Sequence, residues 1–163
     1  MAKRSVPALR AAPAAPQGPG VPQGGIGLRY IESSALVAAL LERDAVALKS
    51  LRARGQRIAS ALTFAEAARA IVRARLAERL PSDAERAAVR ALRRVERRCY
   101  VVGVTDEILA RVGRPFPVEP VRTLDALHIA TVESLGEAPQ LMSVVTRDHR
   151  VRENVKALGY VVE

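Results

Sequence analysis

Short unbroken apolar runs alternate along the chain with apolar residues at helical spacing. Leu28-Arg29-Tyr30-Ile31 reads as a strand ending in Glu32, and Leu36, Val37, Leu40 and Leu41 then mark the inner face of a helix. A second short helix spans Ala45 to Arg54 and is closed by Gly55, before a strand over Arg57 to Leu62. A long helix over about 64–79 sets Phe64, Ala68, Ile71, Val72 and Leu76 on one face and ends at Pro81. Ser82-Asp83-Ala84-Glu85 has the form of a capping box and opens a helix running to about 98. One stripe of that helix holds Ala84, Ala87, Ala88, Ala91, Leu92 and Val95; the opposite face holds Arg86, Arg90, Arg93, Arg94 and Arg97. Cys99 to Val104 reads as a buried strand, Asp106 starts a short helix, and the prolines between Arg114 and Pro120 mark a loop. A helix over about 124–135 stops at Gly136, and strand 141–145, helix 148–158 and strand 160–162 follow. Strands alternating with helices, without internal repeats, predict an α/β fold: three layers, with a short central parallel sheet between helices.

Four carboxylates stand where strands give way to helices: Glu32, Glu66, Asp125 and Asp148. Strands of a parallel sheet all point one way, so acids at these junctions gather at one edge of it. Each taken singly has a structural explanation. Thr63-x-x-Glu66 is itself a capping box, and Asp125 and Asp148 sit where a helix dipole favours negative charge. Glu32 resists that account, because Ser33 and Ser34 behind it are better caps and a carboxylate ending a central strand needs a partner. The coincidence of four predicts a site for a hard divalent cation, and with it metal-dependent phosphodiester hydrolysis.

Composition sharpens this only slightly. The 163 residues suit one domain with a proper core. The formal charge is +9, and the cations are almost all Arg, which favours a polyanionic partner as much as it reflects a biased codon usage. Cys99 is the only cysteine, which excludes an internal disulfide and a zinc framework. No apolar run approaches a membrane span, and prolines interrupt the basic start before a signal-peptide core forms, so a cytoplasmic protein is expected. Residues 1–25, rich in Ala, Pro and Gly, read equally as a disordered tail or as the product of a start codon placed too early, ahead of a folded domain over 26–163.

Smaller signals divide evenly or fall to the plainer reading. Arg69 and Arg73 lie one and two turns beyond Glu66 and either clamp substrate phosphate or balance an acidic pocket. Ser33 either caps the first helix or hydrogen-bonds within the pocket. His128, one turn after Asp125 among apolar neighbours, reads as a packed helix histidine, and His149 as exposed. No nucleophile elbow, P-loop or dinucleotide fingerprint is present.

Tyr30-Ile31-Glu32-Ser33-Ser34-Ala35-Leu36-Val37 resembles the opening strand and helix of PIN domains, especially VapC-type toxins. Thr63-Phe64-Ala65-Glu66-Ala67-Ala68-Arg69-Ala70 is similar to their second acidic motif. Thr123-Leu124-Asp125-Ala126-Leu127-His128-Ile129-Ala130 resembles the third and is the most specific. Val145-Thr146-Arg147-Asp148 and the following Ala157-Leu158-Gly159-Tyr160-Val161-Val162 look like the family's end. The resemblance covers about residues 27–163. It implies a PIN-like α/β/α fold, a hydrolase of the ribonuclease class dependent on Mg²⁺ or Mn²⁺, a small antitoxin partner and a homodimer. Carried over by motif, Glu32, Glu66, Asp125 and Asp148 take the family's four acidic positions and are catalytic, with Glu32, Asp125 and Asp148 on the metal; by their own placement, Arg69, Arg73 and Ser33 are the candidates to bind substrate RNA. One position departs: the family's first acid is normally Asp and here is Glu32. That substitution motivates the alternative of a catalytically weakened domain that binds RNA or a protein without cleaving. A receiver or phosphatase fold also uses acids at strand ends, but needs an Asp nucleophile at the first strand. A groove over Leu36, Leu40, Leu41, Leu48 and Leu51 is the expected seat of an antitoxin segment.

Overall fold

A computed structural model describes residues 27–163. The tail expected over 1–25 lies outside the described residues. The elements follow in the order β1 (Leu28–Ile31), α1 (Ser33–Val37), a π-helical turn (Ala38–Glu42), α2 (Ala45–Arg52), β2 (Gln56–Ser60), α3 (Ala61–Leu76), α4 (Ser82–Glu96) and β3 (Cys99–Val102). Then come α5 (Asp106–Val112), α6 (Thr123–Ser134), a 3₁₀ turn (Pro139–Leu141), β4 (Met142–Val145), α7 (His149–Ala157) and β5 (Val161–Val162). The strands form one parallel sheet in the order β3-β2-β1-β4-β5. This is the expected three-layer α/β fold.

β1 is central, and all four of its residues are buried, as a strand covered on both faces requires. Leu28 and Tyr30 join Ile58, Ile129, Val144 and Val151 beneath α5, α6 and α7. Ile31 joins Ala59, Leu36, Phe64, Ile71 and Val145 beneath α1, α3 and α4. Adjacent side chains thus enter opposite cores, which is the period of two expressed across three layers.

Several local expectations change. Cys99–Val102 is the sheet's edge, so it is half-buried and not the buried strand expected; Val101 is 40% exposed. α3 buries Thr63, Phe64, Ala67, Ala70, Ile71 and Ala74, while Ala68, Val72 and Leu76 face outward. Both stripes satisfy helical spacing, and close approach to the sheet selects the alanines over the bulkier Val72 and Leu76. Neither capping box forms. Ser60 caps α3 by accepting from Leu62 N at 3.2 Å, and Thr63 donates instead to Ile31 O at 3.2 Å. Pro81 stands at the N-cap of α4, and Glu85 turns to Arg75 of α3, 3.4 Å away.

An ion pair between buried Arg29 and partly exposed Glu163 braces the end of the sheet away from the acids. Arg29 donates to Ser50 O at 2.6 Å, to Ala53 O at 3.3 Å, and through two nitrogens to the Glu163 carboxylate, which also accepts from Ser143 at 2.6 Å. Gly55 (φ 135°) makes room for it, since a Cβ there would lie 2.6 Å from Arg29 Cδ. The Arg29 hydrogen bond, against the cost of burial, holds the Glu163 carboxyl below its ordinary value. A depressed pKa contributes stability above the unfolded value near 4.3 that is lost as pH falls through the folded value. Glu163→Gln is expected to cost about 1 kcal/mol at pH 7, a figure reduced for its partial exposure, and to flatten the loss between about pH 5 and 3. Urea titrations across that range test it; parallel curves for both proteins would refute the assignment.

Candidate active site

The chain steps outward from β1 to β2 and β3, then returns to place β4 on the other side of β1. Helices therefore leave neighbouring strands β1 and β4 on opposite faces, opening a crevice at their carboxyl ends. Glu32 follows β1 and Asp148 lies just beyond β4, so the two acids flank this switch point. Glu66 in α3 and Asp125 in the first turn of α6 approach from the two helical layers.

Glu32 is 3% exposed and is the N-cap of α1, contrary to the expectation that the serines would cap. Its backbone is extended, and the longer side chain curls back so that both carboxylate oxygens accept from Ser34 N at 3.0 Å. Ser33 Oγ donates to it at 2.7 Å, Thr146 Oγ1 at 2.8 Å, and Ser34 Oγ also donates to it. Ser33 thereby hydrogen-bonds within the pocket. Ser34 Oγ in turn accepts from Arg147 N at 2.8 Å and Asp148 N at 2.9 Å, which ties the entry of α7 to the start of α1. Asp148 caps α7, accepting from Arg150 N at 2.8 Å and Val151 N at 3.0 Å. Ser34 and Thr146 were not singled out from sequence as pocket residues; a hydroxyl beside each acid is a weak signal, equally typical of helix starts.

Glu66 has no capping task. Its Oε2 lies 2.7 Å from His128 Nε2, whose ring is 1% exposed and whose Nδ1 meets Tyr30 OH at 2.8 Å. His128 is a packed helix histidine, as expected, yet its outer nitrogen reaches the acids: Glu32 Oε1 is 3.7 Å away. Burial alone would raise the Glu66 pKa, but the hydrogen bond from His128, with Ser33 and Arg73, holds it below the ordinary carboxylate value. Asp125 behaves oppositely. Burial, then the charges of Asp148 and Glu32, push its pKa up, and its buried Oδ2 has no hydrogen-bond partner among the described residues.

The four acids are thus brought together. Single ligand atoms of Glu32, Glu66 and His128 lie within 4.8 Å of one another, and Asp125 feels both Glu32 and Asp148. Arg69 and Arg73 are exposed on α3, and Arg73 is near enough to favour ionised Glu66. The orphaned Asp125 oxygen and the accumulated negative charge fit a hard cation held by oxygens.

A family model described as PIN domain matches residues 29–156. The chain belongs to the PIN domain family. This PIN domain is 36% identical over 135 residues to Ribonuclease VapC46 of Mycobacterium tuberculosis, covering 82% of this chain and 94% of that one. It is 35% identical over 137 residues to Ribonuclease VapC35 of the same species, covering 82% and 93%. In fold it is similar to PAE2754 from Pyrobaculum aerophilum, with a TM-score of 0.56, 24% identity and 83% of both chains covered. It is also similar in fold to VapBC2 from Rickettsia felis, solved with a DNA fragment from their promoter, with a TM-score of 0.57 and 10% identity over 83% of this chain and 97% of that one. The match takes in nearly the whole length of these VapC relatives and 82% of this chain.

Proposed function

We propose that this PIN domain is a metal-dependent endoribonuclease and the toxin of a type II toxin–antitoxin pair. The observation that carries the reading is the convergence of Glu32, Glu66, Asp125 and Asp148 at the switch point, with one buried Asp125 oxygen left unpaired among the described residues. Asp125 and Asp148, with an oxygen of Glu32, would hold Mg²⁺ or Mn²⁺. Bound there, the ion supplies positive charge at the scissile phosphate and makes water a better nucleophile. Glu66, kept ionised, would lend the ion a carboxylate oxygen as well; Arg69 and Arg73 on the same helix approach the RNA backbone. The exposed arginines of α4, Arg86, Arg90, Arg93 and Arg97, extend that basic surface.

The antitoxin has a seat of suitable chemistry. A cavity of about 320 Å³ between α2 and α4 is floored by Ala39, Leu40, Leu48, Leu51, Ala91 and Val95 and rimmed by Arg52, Arg57, Arg94 and Arg98. Leu36, expected in this groove, lies fully buried in the core beneath α1, and Leu41 lies outside the lining, while Leu40, Leu48 and Leu51 do line it. An apolar helix face with acidic flanks fits such a lining. The outward stripe Ala68, Val72 and Leu76 on α3 supports a homodimer. Among the described residues no helix is long and apolar enough to cross a membrane.

Incubating the full chain with total RNA, with and without Mn²⁺, tests the central reading. Cleavage that needs the ion and disappears in a Glu66→Gln, Asp125→Asn double variant is expected. Equal inertness of both proteins, with RNA still retained, would replace the nuclease with an RNA-binding domain.

A further inference from the structure

His128 occupies an unusual place for a histidine packed in a core. The ring is 1% exposed, held edge-on to Tyr30 with centroids 6.1 Å apart, yet Nε2 points between Glu66 Oε2 at 2.7 Å and Glu32 Oε1 at 3.7 Å. A histidine among carboxylates at these distances is either a metal ligand or a hydrogen-bond donor. The proton on the ring decides which, because a nitrogen that carries hydrogen has no lone pair for a metal.

Glu66 and Tyr30 together settle that proton. The Tyr30 hydroxyl is fully buried and, among the described residues, its hydrogen bond goes to His128 Nδ1. The neighbouring hydroxyls already donate elsewhere, Thr63 to Ile31 O and Thr131 to Leu127 O. A carboxylate only accepts, so the 2.7 Å contact with Glu66 draws the ring proton to Nε2, and the buried phenol then donates to the bare Nδ1 at 2.8 Å. We infer that His128 is a positioning residue, locked by Tyr30 as the Nε2–H tautomer, which holds one oxygen of Glu66 and so sets the carboxylate's orientation in the acid pocket. His128 is not itself a ligand, and the metal site is made of oxygens alone. This inference rests on the nuclease reading and deepens it: the relay Tyr30–His128–Glu66 links the buried face of β1 to the acid on α3, across 98 and 62 residues of chain.

The test uses the full chain in three arms. Nitrogen-15 spectra of histidine-labelled wild type report the tautomer directly, and the pattern of protonated Nε2 with bare Nδ1 is expected for His128. Mn²⁺ affinity, read by the electron paramagnetic resonance of the free ion, is expected to fall about 10- to 100-fold in His128→Leu, the range for losing a partner that orients a ligand. His128→Gln places an amide N–H near the position of Nε2 and is expected to stay within a few-fold of wild type in both Mn²⁺ affinity and RNA cleavage. A protonated Nδ1, or a His128→Leu variant that binds Mn²⁺ as wild type does, would overturn the assignment. If His128→Leu does not fold, the tautomer and the Gln rescue decide: a Gln variant that folds but has lost Mn²⁺ makes His128 a ligand and ends the inference. Wild type that neither takes up Mn²⁺ nor cuts RNA removes the nuclease reading and this inference with it, an outcome distinct from wild type that does both while His128→Leu matches it.

Discussion

Asp125→Asn is expected to remove about 10³-fold or more of kcat/KM for RNA cleavage, roughly 4 kcal/mol of transition-state stabilisation, while making the metal-free protein more stable. The two effects have one cause. Asp125 is partly buried, faces the charges of Asp148 and Glu32, and leaves Oδ2 without a partner among the described residues. Without a cation this arrangement opposes folding; with one it binds. A carboxyl whose folded pKa is raised contributes stability below the unfolded value near 3.9, and that contribution is lost as pH rises through the folded value. Metal-free wild type is therefore expected to lose stability as pH climbs from about 4 toward neutrality, and Asp125→Asn to escape that loss by about 1 kcal/mol, a few degrees in Tm. Added Mn²⁺ should stabilise wild type and leave the variant unmoved. Calorimetry at pH 4 and pH 7, with and without the ion, checks all of this. A variant less stable than metal-free wild type at pH 7 would show that Asp125 serves the fold.

The opposite stability change is expected at Glu32, although activity is lost there too. Glu32→Ala removes the acceptor for Ser33 Oγ, Ser34 N, Ser34 Oγ and Thr146 Oγ1 at a 3% exposed position. Leaving buried donors unpaired costs about 1–3 kcal/mol for each that cannot turn elsewhere. Hydroxyls rotate and the backbone amide does not, so a total of about 2–4 kcal/mol is expected, near 10 °C in Tm. Ser34 Oγ also receives Arg147 N and Asp148 N, so the entry to α7 is expected to loosen with it. Hydrogen exchange of those two amides, together with thermal melting, measures both consequences. Glu32→Ala with wild-type Tm and protected amides would contradict this structural role. The contrast between the two variants separates an acid built into the frame from one that exposes charge to the ligand.

The departure from the family's usual Asp gains meaning from the same contacts. Glu32 has the extra methylene needed to cap α1 and still reach Thr146 across the switch point. Its carboxylate is already served by four donor groups, so its share in holding a cation is smaller than that of Asp125, whose Oδ2 has none.

Much of this molecule is written in local periods. The alternation of strand and helix follows from apolar spacing, because a period of two or 3.6 is set by backbone geometry within a few residues. The placement of Glu32, Glu66, Asp125 and Asp148 at one sheet edge follows from parallel topology, and the PIN domain family is matched over residues 29–156. What the chain alone left open is every choice between two locally equivalent arrangements. Phe64-Ala67-Ile71-Ala74 and Phe64-Ala68-Val72-Leu76 are equally helical stripes, and only the distance from α3 to the sheet selects the first. Ser33 and Glu32 are both competent caps, and Thr146, 114 residues away, decides for Glu32. His128 is buried on any reading, but its contact with Glu66 depends on α3 and α6 meeting over the end of β1. Hydrogen bonds form wherever donors and acceptors meet, irrespective of their separation along the chain, and so sequence located the acids while tertiary structure assigned their work.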